Sequence, residues 1–305
     1  MNLNQLRIFY NVAKHNSFSL AAEALFLTQP DISTQVKLLE DYYKLKLFDR
    51  YGKKIKLTNA GEKLFLYSEK IFNLAKEADS VIEDIKGMNS GSLKISASLT
   101  MGTYYLPSIL SSFKKRYPNI EIQMTVGNSE LVIENILSFN SDLGFIAHLV
   151  SNEKLIINPF IEEELVMIVS PLHEFAQQKT IKFNKLNGQY FIMREKGSAT
   201  REEIEAKFKK ENTGVKVIME LGSNEAIKRA VEAGLGISIV PANVVRREVK
   251  LELLKIIRFS GERFTRNFYI ICHKDKYLSN IIMYFLNMTS EFSNDYSKKI
   301  LFKET

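Results

Sequence analysis

The chain has 305 residues, 45% hydrophobic and 25% charged, a globular balance long enough for about two domains and unlike a disordered, collagenous or disulfide-stapled chain. The net charge of +7 favours anionic partners without naming one. A single cysteine, Cys272, excludes an internal disulfide and a multi-cysteine metal site. The opening residues lack the basic-then-apolar order of a signal peptide. No apolar run reaches the roughly 18 residues of a membrane helix. A cytoplasmic chain with no membrane partner is therefore expected.

Leu3, Leu6, Phe9, Tyr10 and Ala13 recur at helical spacing and predict an amphipathic helix over residues 3–15. Ser19 is expected to cap a short second helix over residues 20–25. Thr28, Pro30 and Asp31 then read as cap, first-turn proline and capping-box acid of a third. Its apolar stripe is Ile32, Val36 and Leu39; the opposite stripe carries Gln29, Ser33, Thr34 and Lys37. Two helices joined by a short turn, the second presenting hydrogen-bonding side chains, form a helix-turn-helix. Four cations in seven positions follow, Arg50, Lys53, Lys54 and Lys56, around Gly52. Ile55 and Leu57 alternate with the lysines, which predicts a small hairpin with one apolar face. Alone it reads as a solvated turn; beside the helix pair it reads as a wing whose cations lie over phosphates.

Residues 59–89 form one long helical pattern, capped by Thr58 or Asn59. Leu64, Tyr67, Ile71, Leu74, Ala78, Val81 and Ile85 are spaced alternately by three and four, a heptad stripe that predicts self-dimerisation. A twofold dimer would present two reading heads to a palindromic site. Residues 88–92 are the expected hinge.

Beyond it, strands and helices alternate twice. Strands at 93–97, 120–126 and 142–147 enclose helices at 100–117 and 130–139, the latter capped by Ser129 or Asn128. Strands at 190–193, 215–219 and 236–240 enclose helices at 197–210 and 223–233. Each βαβαβ run predicts a parallel sheet with helices on its faces. Residues 163–169 and 268–273 are the expected strands linking the two halves, and a last helix over 277–292 returns to the first half. The expected division is residues 1–58, 59–89 and 90–292, followed by a tail at 293–305. The third part splits into lobe I (91–161 and 269–292) and lobe II (162–268). In open α/β sheets ligands sit beyond the strand ends, at helix N-termini. There the sequence places Ser98, Thr100, Ser129, Ser198, Thr200, Ser223 and Asn224, with Arg201 and Arg194 nearby, a set suited to an anion. Each of these residues taken singly reads as an ordinary helix cap.

Residues 3–61 resemble the winged helix-turn-helix of LysR-type transcriptional regulators. The resemblance is carried by Leu6-Arg7-Ile8-Phe9, Ser17-Phe18-Ser19-Leu20-Ala21-Ala22, Thr28-Gln29-Pro30, Ser33-Thr34-Gln35-Val36-Lys37, Leu47-Phe48-Asp49-Arg50 and Leu57-Thr58-Asn59-Ala60-Gly61. It implies that Gln29, Pro30, Ser33, Thr34 and Lys37 face DNA, that Arg50, Lys53 and Lys54 lie near wing phosphates, and that the long helix dimerises. Thr34 and Asp31 depart from the family's frequent arginine and alanine, which should weaken phosphate attraction. Residues 91–290 resemble the family's two-lobed effector domain, itself similar to type 2 periplasmic binding proteins. Gly197-Ser198-Ala199-Thr200-Arg201 and Gly127-Asn128-Ser129 look like the branch containing the CbbR and CysL regulators. That branch implies a small anionic effector, no cofactor, and a site including Ser98, Thr100, Ser129, Ala147, Gly197, Ser198, Thr200, Arg201 and Ser223. The implied partners are an operator duplex, a second copy in a dimer or tetramer, and RNA polymerase for an activator.

No Gly-x-Gly-x-x-Gly, P-loop or Gly-x-Ser-x-Gly elbow is present, and the four histidines are scattered. His15 reads as a helix-end cation, His148 as a candidate to line the cleft, Cys272 as packing. Glu162, Glu163 and Glu164 alternate faces along a strand and make no catalytic pair. The rival to a ligand-controlled transcription factor is a solute-binding or enzymatic α/β protein with an incidental basic head. Such a protein should show a signal peptide, nucleophile, metal set or cofactor loop.

Overall fold

The structure, a computed structural model, describes residues 1–51, 54–85, 91–261 and 263–301; the side chains of Arg50, Lys54 and Ile85 lie outside the described set. The chain forms two compact bodies.

The first body opens with α1 (Leu3–His15), α2 (Phe18–Leu25) and α3 (Gln29–Tyr43). Each helix start has a named cap. Asn2 and Gln5 close a reciprocal box on α1. The second helix starts two residues earlier than its sequence pattern implies, because Ser17 rather than Ser19 accepts the Leu20 N–H. All three helices end on a residue in the left-handed region: Asn16, Phe26 and Lys44. Their apolar stripes meet in one core of Leu6, Phe9, Val12, Ala21, Ile32, Val36 and Leu39. The hairpin of β1 (Phe48–Tyr51) and β2 (Lys54–Leu57) pairs antiparallel and turns Ile55 and Leu57 onto this core. Then α4 (Asn59–Ile85) begins, with the Thr58 hydroxyl accepting the Gly61 N–H at 3.0 Å. Gly61 is needed here, since a Cβ would lie 2.1 Å from the Leu47 carbonyl oxygen.

The second body carries β3 (Gly91–Ser98), α5 (Leu106–Arg116), β4 (Ile120–Gly127), α6 (Ser129–Leu137) and β5 (Leu143–Ile146). A helical run from residue 99 passes through a π turn at Met101–Tyr105 and leads into α5 at Leu106-Pro107. Then come β6 (Leu155–Val169), β7 (Thr180–Ile181), β8 (Tyr190–Arg194), α7 (Ala199–Lys210), β9 (Lys216–Leu221), α8 (Asn224–Glu232) and β10 (Ser238–Pro241). Four elements close the chain: α9 (Arg246–Lys250), β11 (Lys255–Phe259), β12 (Thr265–His273) and α10 (Asn280–Leu301). The last helix runs past 292 through residues expected to be a tail, because Phe292 and Tyr296 still pack on the first lobe's core.

In the first lobe, β4, β3 and β5 are parallel and β12 joins β5 antiparallel. In the second, β8 and β9 are parallel, and β10 and β11 pair antiparallel with the far end of β6. The two long strands β6 and β12 pair with each other from Leu155–His273 to Glu164–Thr265 and so pass between the lobes. Each lobe has its own core, one around Phe113, Phe145, Phe268 and Phe285, the other around Phe183, Phe191, Ile239 and Ile257. Among the described residues no helix is long and apolar enough to cross a membrane, and no three metal-ligating side chains cluster.

Glu40, near the end of α3, ties the hairpin to the helix. It is buried, and its carboxylate accepts the Leu47 N–H at 2.9 Å, the Phe48 N–H at 3.3 Å and Lys46 at 2.8 Å. Burial pushes its carboxyl up, but the Lys46, Leu47 and Phe48 donors outweigh this and hold it below the usual carboxylate value. A carboxylate with a lowered folded pKa contributes stability that is complete above its unfolded value and lost as pH falls through the folded one. Glu40→Gln should therefore cost about 1–3 kcal/mol at neutral pH and nothing at pH values below the folded pKa. Thermal unfolding of the full chain against pH measures this, and parallel profiles for the two proteins would refute it.

Candidate functional site

The head builds one exposed polar face. In α3, Ile32, Val36 and Leu39 are buried, whereas Gln29, Pro30, Thr34 and Lys37 are exposed and Ser33 is half-buried. Gln29, Ser33 and Lys37 are four residues apart, so they stand on one stripe. The stripe covers about 12 Å of helix, comparable to the width of a major groove at about 12 Å. Thr28 caps α3 by accepting the Asp31 N–H at 3.3 Å, and its hydroxyl donates back to the Asp31 carboxylate at 2.6 Å. Asp31 is thereby held at the positive end of the helix, which offsets part of its charge. Arg50 stands opposite Ile55 in the hairpin; Lys53 falls outside the described residues.

Along α4, the stripe divides. Leu64 packs against the head's own core, and Val81 is half-buried. Tyr67, Ile71, Leu74 and Ala78 are exposed in the single chain.

In the second body, a cavity of about 230 Å³ lies between the lobes. The ends of β3 and β4 bring Ser98, Thr100, Asn128 and Ser129; β5 ends at Ala147; the turn into α7 brings Gly197, Ser198 and Thr200. Of the nine site residues that the family resemblance implies, seven meet there. Two do not. Ser223 caps α8 through the Ala226 N–H at 3.2 Å and lies outside the lining. Arg201 turns away, held by Glu205 at 2.7 Å and Glu220 at 2.5 Å. Nor does His148 line the cavity.

Several of the hydroxyls are released from capping duty. Asn128, not Ser129, accepts the Leu131 N–H at the start of α6. Ser198 begins α7 without a side-chain cap bond, after Gly197 has turned the chain at φ +81°. The Ser98 hydroxyl is buried with no hydrogen-bond partner among the described residues, a state that usually signals a ligand or water.

Two guanidiniums complete the lining. Arg194 is bidentate to Glu195, at 2.7 Å for both bonds, and reaches the Asn224 amide oxygen at 3.3 Å. Asn224 in turn donates to Thr100 at 3.4 Å. Arg266 is the deeper, with its side chain 1% exposed. It donates to Glu163 at 2.9 and 3.1 Å and to the Thr200 hydroxyl at 2.7 Å. Burial pushes the Glu163 carboxyl up; Arg266, the Tyr105 hydroxyl and Arg246 act against it. Arg266 was not among the residues expected here. Its sequence signal is a lone cation in an apolar strand, interpretable only once β12 is set against β6 with Arg266 opposite Glu163.

Comparison with known proteins matches this geometry. Residues 3–62 match the bacterial regulatory helix-turn-helix protein, lysR family, and residues 86–292 the LysR substrate binding domain. The chain belongs to the LysR family. It is 36% identical to the HTH-type transcriptional activator CmpR of Synechocystis sp., over 93% of each chain. It is 35% identical to the RuBisCO operon transcriptional regulator of Allochromatium vinosum, over 92% of each. These relatives bear out the resemblance to the CbbR branch. The regulatory domain of Synechocystis PCC6803 CcmR in complex with 2-PG superposes with a TM-score of 0.62 at 31% identity, over 67% of this chain and 98% of that one. Full-length CbnR with its target DNA shares the fold at a TM-score of 0.72 and 23% identity, over 95% and 99% of the two chains. The protein is thus a LysR-type transcriptional regulator and not an enzyme.

Proposed function

We propose that the protein binds its operator as a homodimer, or as a tetramer built from dimers, and that a small anion in the interlobe cleft controls that binding. The supporting observation is the convergence of uncommitted hydroxyls, two helix N-termini and two guanidiniums on one cavity. Helix N-termini with free N–H groups favour anions. The cavity's size suits a small phosphate or carboxylate, and the 2-PG complex of the CcmR domain belongs to that class. An anion touching both lobes binds one lobe angle better than another, and only such differential binding shifts a conformational equilibrium. Where the regulator activates, RNA polymerase is a further partner.

Thr200→Val combined with Ser98→Ala should weaken binding of 2-PG or of the best small anion in a panel by at least about tenfold, with operator affinity in the absence of ligand unchanged. Isothermal titration reads the first and gel shift the second. An unaltered titration would remove the cleft from consideration.

For the head, Gln29, Ser33 and Thr34 are assigned to base edges, with Pro30 setting the first turn and Lys37, Arg50, Lys53 and Lys54 assigned to phosphates. Gln29→Ala should lose about 1–3 kcal/mol of discrimination between operator and random duplex. Lys37→Ala should weaken both duplexes alike and reduce the salt slope by about one. Equal losses on the two duplexes for Gln29→Ala would contradict its assignment.

The exposed stripe of Tyr67, Ile71, Leu74 and Ala78, continued by Val81 and Ile85, is assigned to pairing with a second copy through coiled-coil packing. Leu74→Glu should shift the sedimentation profile to monomer, and a dimer of undiminished stability would sink the assignment.

A further inference from the structure

A second cavity, of about 220 Å³, opens in the same body away from the cleft residues. Its walls are aromatic: Tyr104 and Tyr105 from the π turn before α5, and Phe292 and Tyr296 from α10. Two opposite charges face it, Arg246 at the start of α9 and Asp295 in α10. Neither makes a hydrogen bond or ion pair with another described residue, and they do not pair with each other. The Asn243 amide lines the same space.

The floor of this cavity is wired. Tyr105 is 1% exposed, and its hydroxyl donates to Glu163. With that proton committed, the bond of 3.1 Å between the Tyr105 and Tyr296 hydroxyls runs from Tyr296 to Tyr105. Glu163 carries the chain on to Arg266. The arrangement is therefore fixed at its buried end and open at its charged end.

An anion alone would meet Asp295, and a cation alone would meet Arg246. A molecule bearing both charges satisfies both, while the aromatic lining covers its aliphatic part. We propose that this cavity binds a small zwitterion of the α-amino acid class, its carboxylate on Arg246 and its ammonium on Asp295. The site is separate from the effector cleft and stands whether or not the cleft reading does.

The test uses the full-length protein and begins with L-alanine, then the other proteinogenic amino acids, by isothermal titration. The chain has 13 tyrosines and no tryptophan, so tyrosine emission gives a second readout close to the site. At least one amino acid should bind saturably in the millimolar range or tighter. Arg246→Gln and Asp295→Asn should each weaken it about tenfold, while acetate and ethylammonium should fail to bind there. Both substitutions are at exposed positions, and circular dichroism confirms the fold. Thr200→Val should leave this binding intact. The proposal is overturned if no amino acid binds, if binding survives both charge substitutions, or if it is lost with Thr200→Val instead.

Discussion

A carboxylate and a guanidinium face each other across β6 and β12, where the two longest linking strands pass from one lobe to the other. Glu163 and Arg266 are directly opposite in register and both are fully buried. Removing two charges from water costs several kcal/mol per ion, so such a pair persists only with its remaining valences satisfied. Here they are. One Glu163 oxygen takes two guanidinium bonds and the other takes the Tyr105 hydroxyl. Arg266 spends a third bond on Thr200, a residue of the second lobe. Apolar packing at this crossing would hold the lobes as well. It would not place a hydrogen-bond donor at the bottom of the cleft, and it would not tie that donor to both sides of the hinge.

The site also depends on which polar residues do the capping. A helix start needs side-chain acceptors, and the easiest supply is the serine or threonine nearest to it. At α3, Thr28 does that work and Gln29 and Ser33 remain outward-facing. At α6, Asn128 takes the cap and Ser129 is left to the cavity. At α7, Gly197 turns the chain so that Ser198 sits at the cap position without a capping bond. At α8 the division goes the other way: Ser223 is consumed as a cap and Asn224 joins the chain from Arg194 to Thr100. Head and cleft thus use one device, a helix start whose polar groups exceed its own needs.

Most of the fold was legible because its periods are clean. The spacing of Leu6, Phe9 and Ala13, and the alternation of Leu93, Ile95 and Ala97, each express one buried face. Order and number of the principal strands followed. What escaped was decided by pairing across distance. Residues 242–264 carry no single period, and β11 forms there because Ile256 and Ile257 find β6. The helix expected from residue 100 is present, but it carries a π turn at Met101–Tyr105 that the spacing did not indicate; there Tyr105 is buried with its hydroxyl on Glu163. In the cleft, Ser98, Thr100, Ser129, Ser198 and Thr200, expected from their places at strand ends and helix starts, line the cavity. Arg201 looked equally suitable, but Glu205 lies one helical turn on and Glu220 stands on the neighbouring strand, so its charge is spent elsewhere. Arg266 could be found only from the register of a strand pair that the sequence does not print.

The same bookkeeping of charges separates the two ligand surfaces physically. On the head, Lys37 is an exposed cation with no carboxylate among the described residues paired to it, and the protein as a whole is basic. Attraction to a duplex there is long-ranged and is screened within about 10 Å at 0.1 M salt. In the cleft, each guanidinium already has its own carboxylate, Glu195 for Arg194 and Glu163 for Arg266. The cleft's net field is therefore small, and the proposed anion would be distinguished there by the direction of hydroxyls, N–H groups and unused guanidinium protons at hydrogen-bond range. An anion bound as proposed would compete with Glu163 for Arg266 and with solvent for Ser98. Its recognition would be a matter of fit among short contacts, which salt disturbs little, whereas a grip on DNA through such cations is a matter of charge, which salt disturbs strongly. A regulator built this way can keep its sensor steady while its output remains easily released.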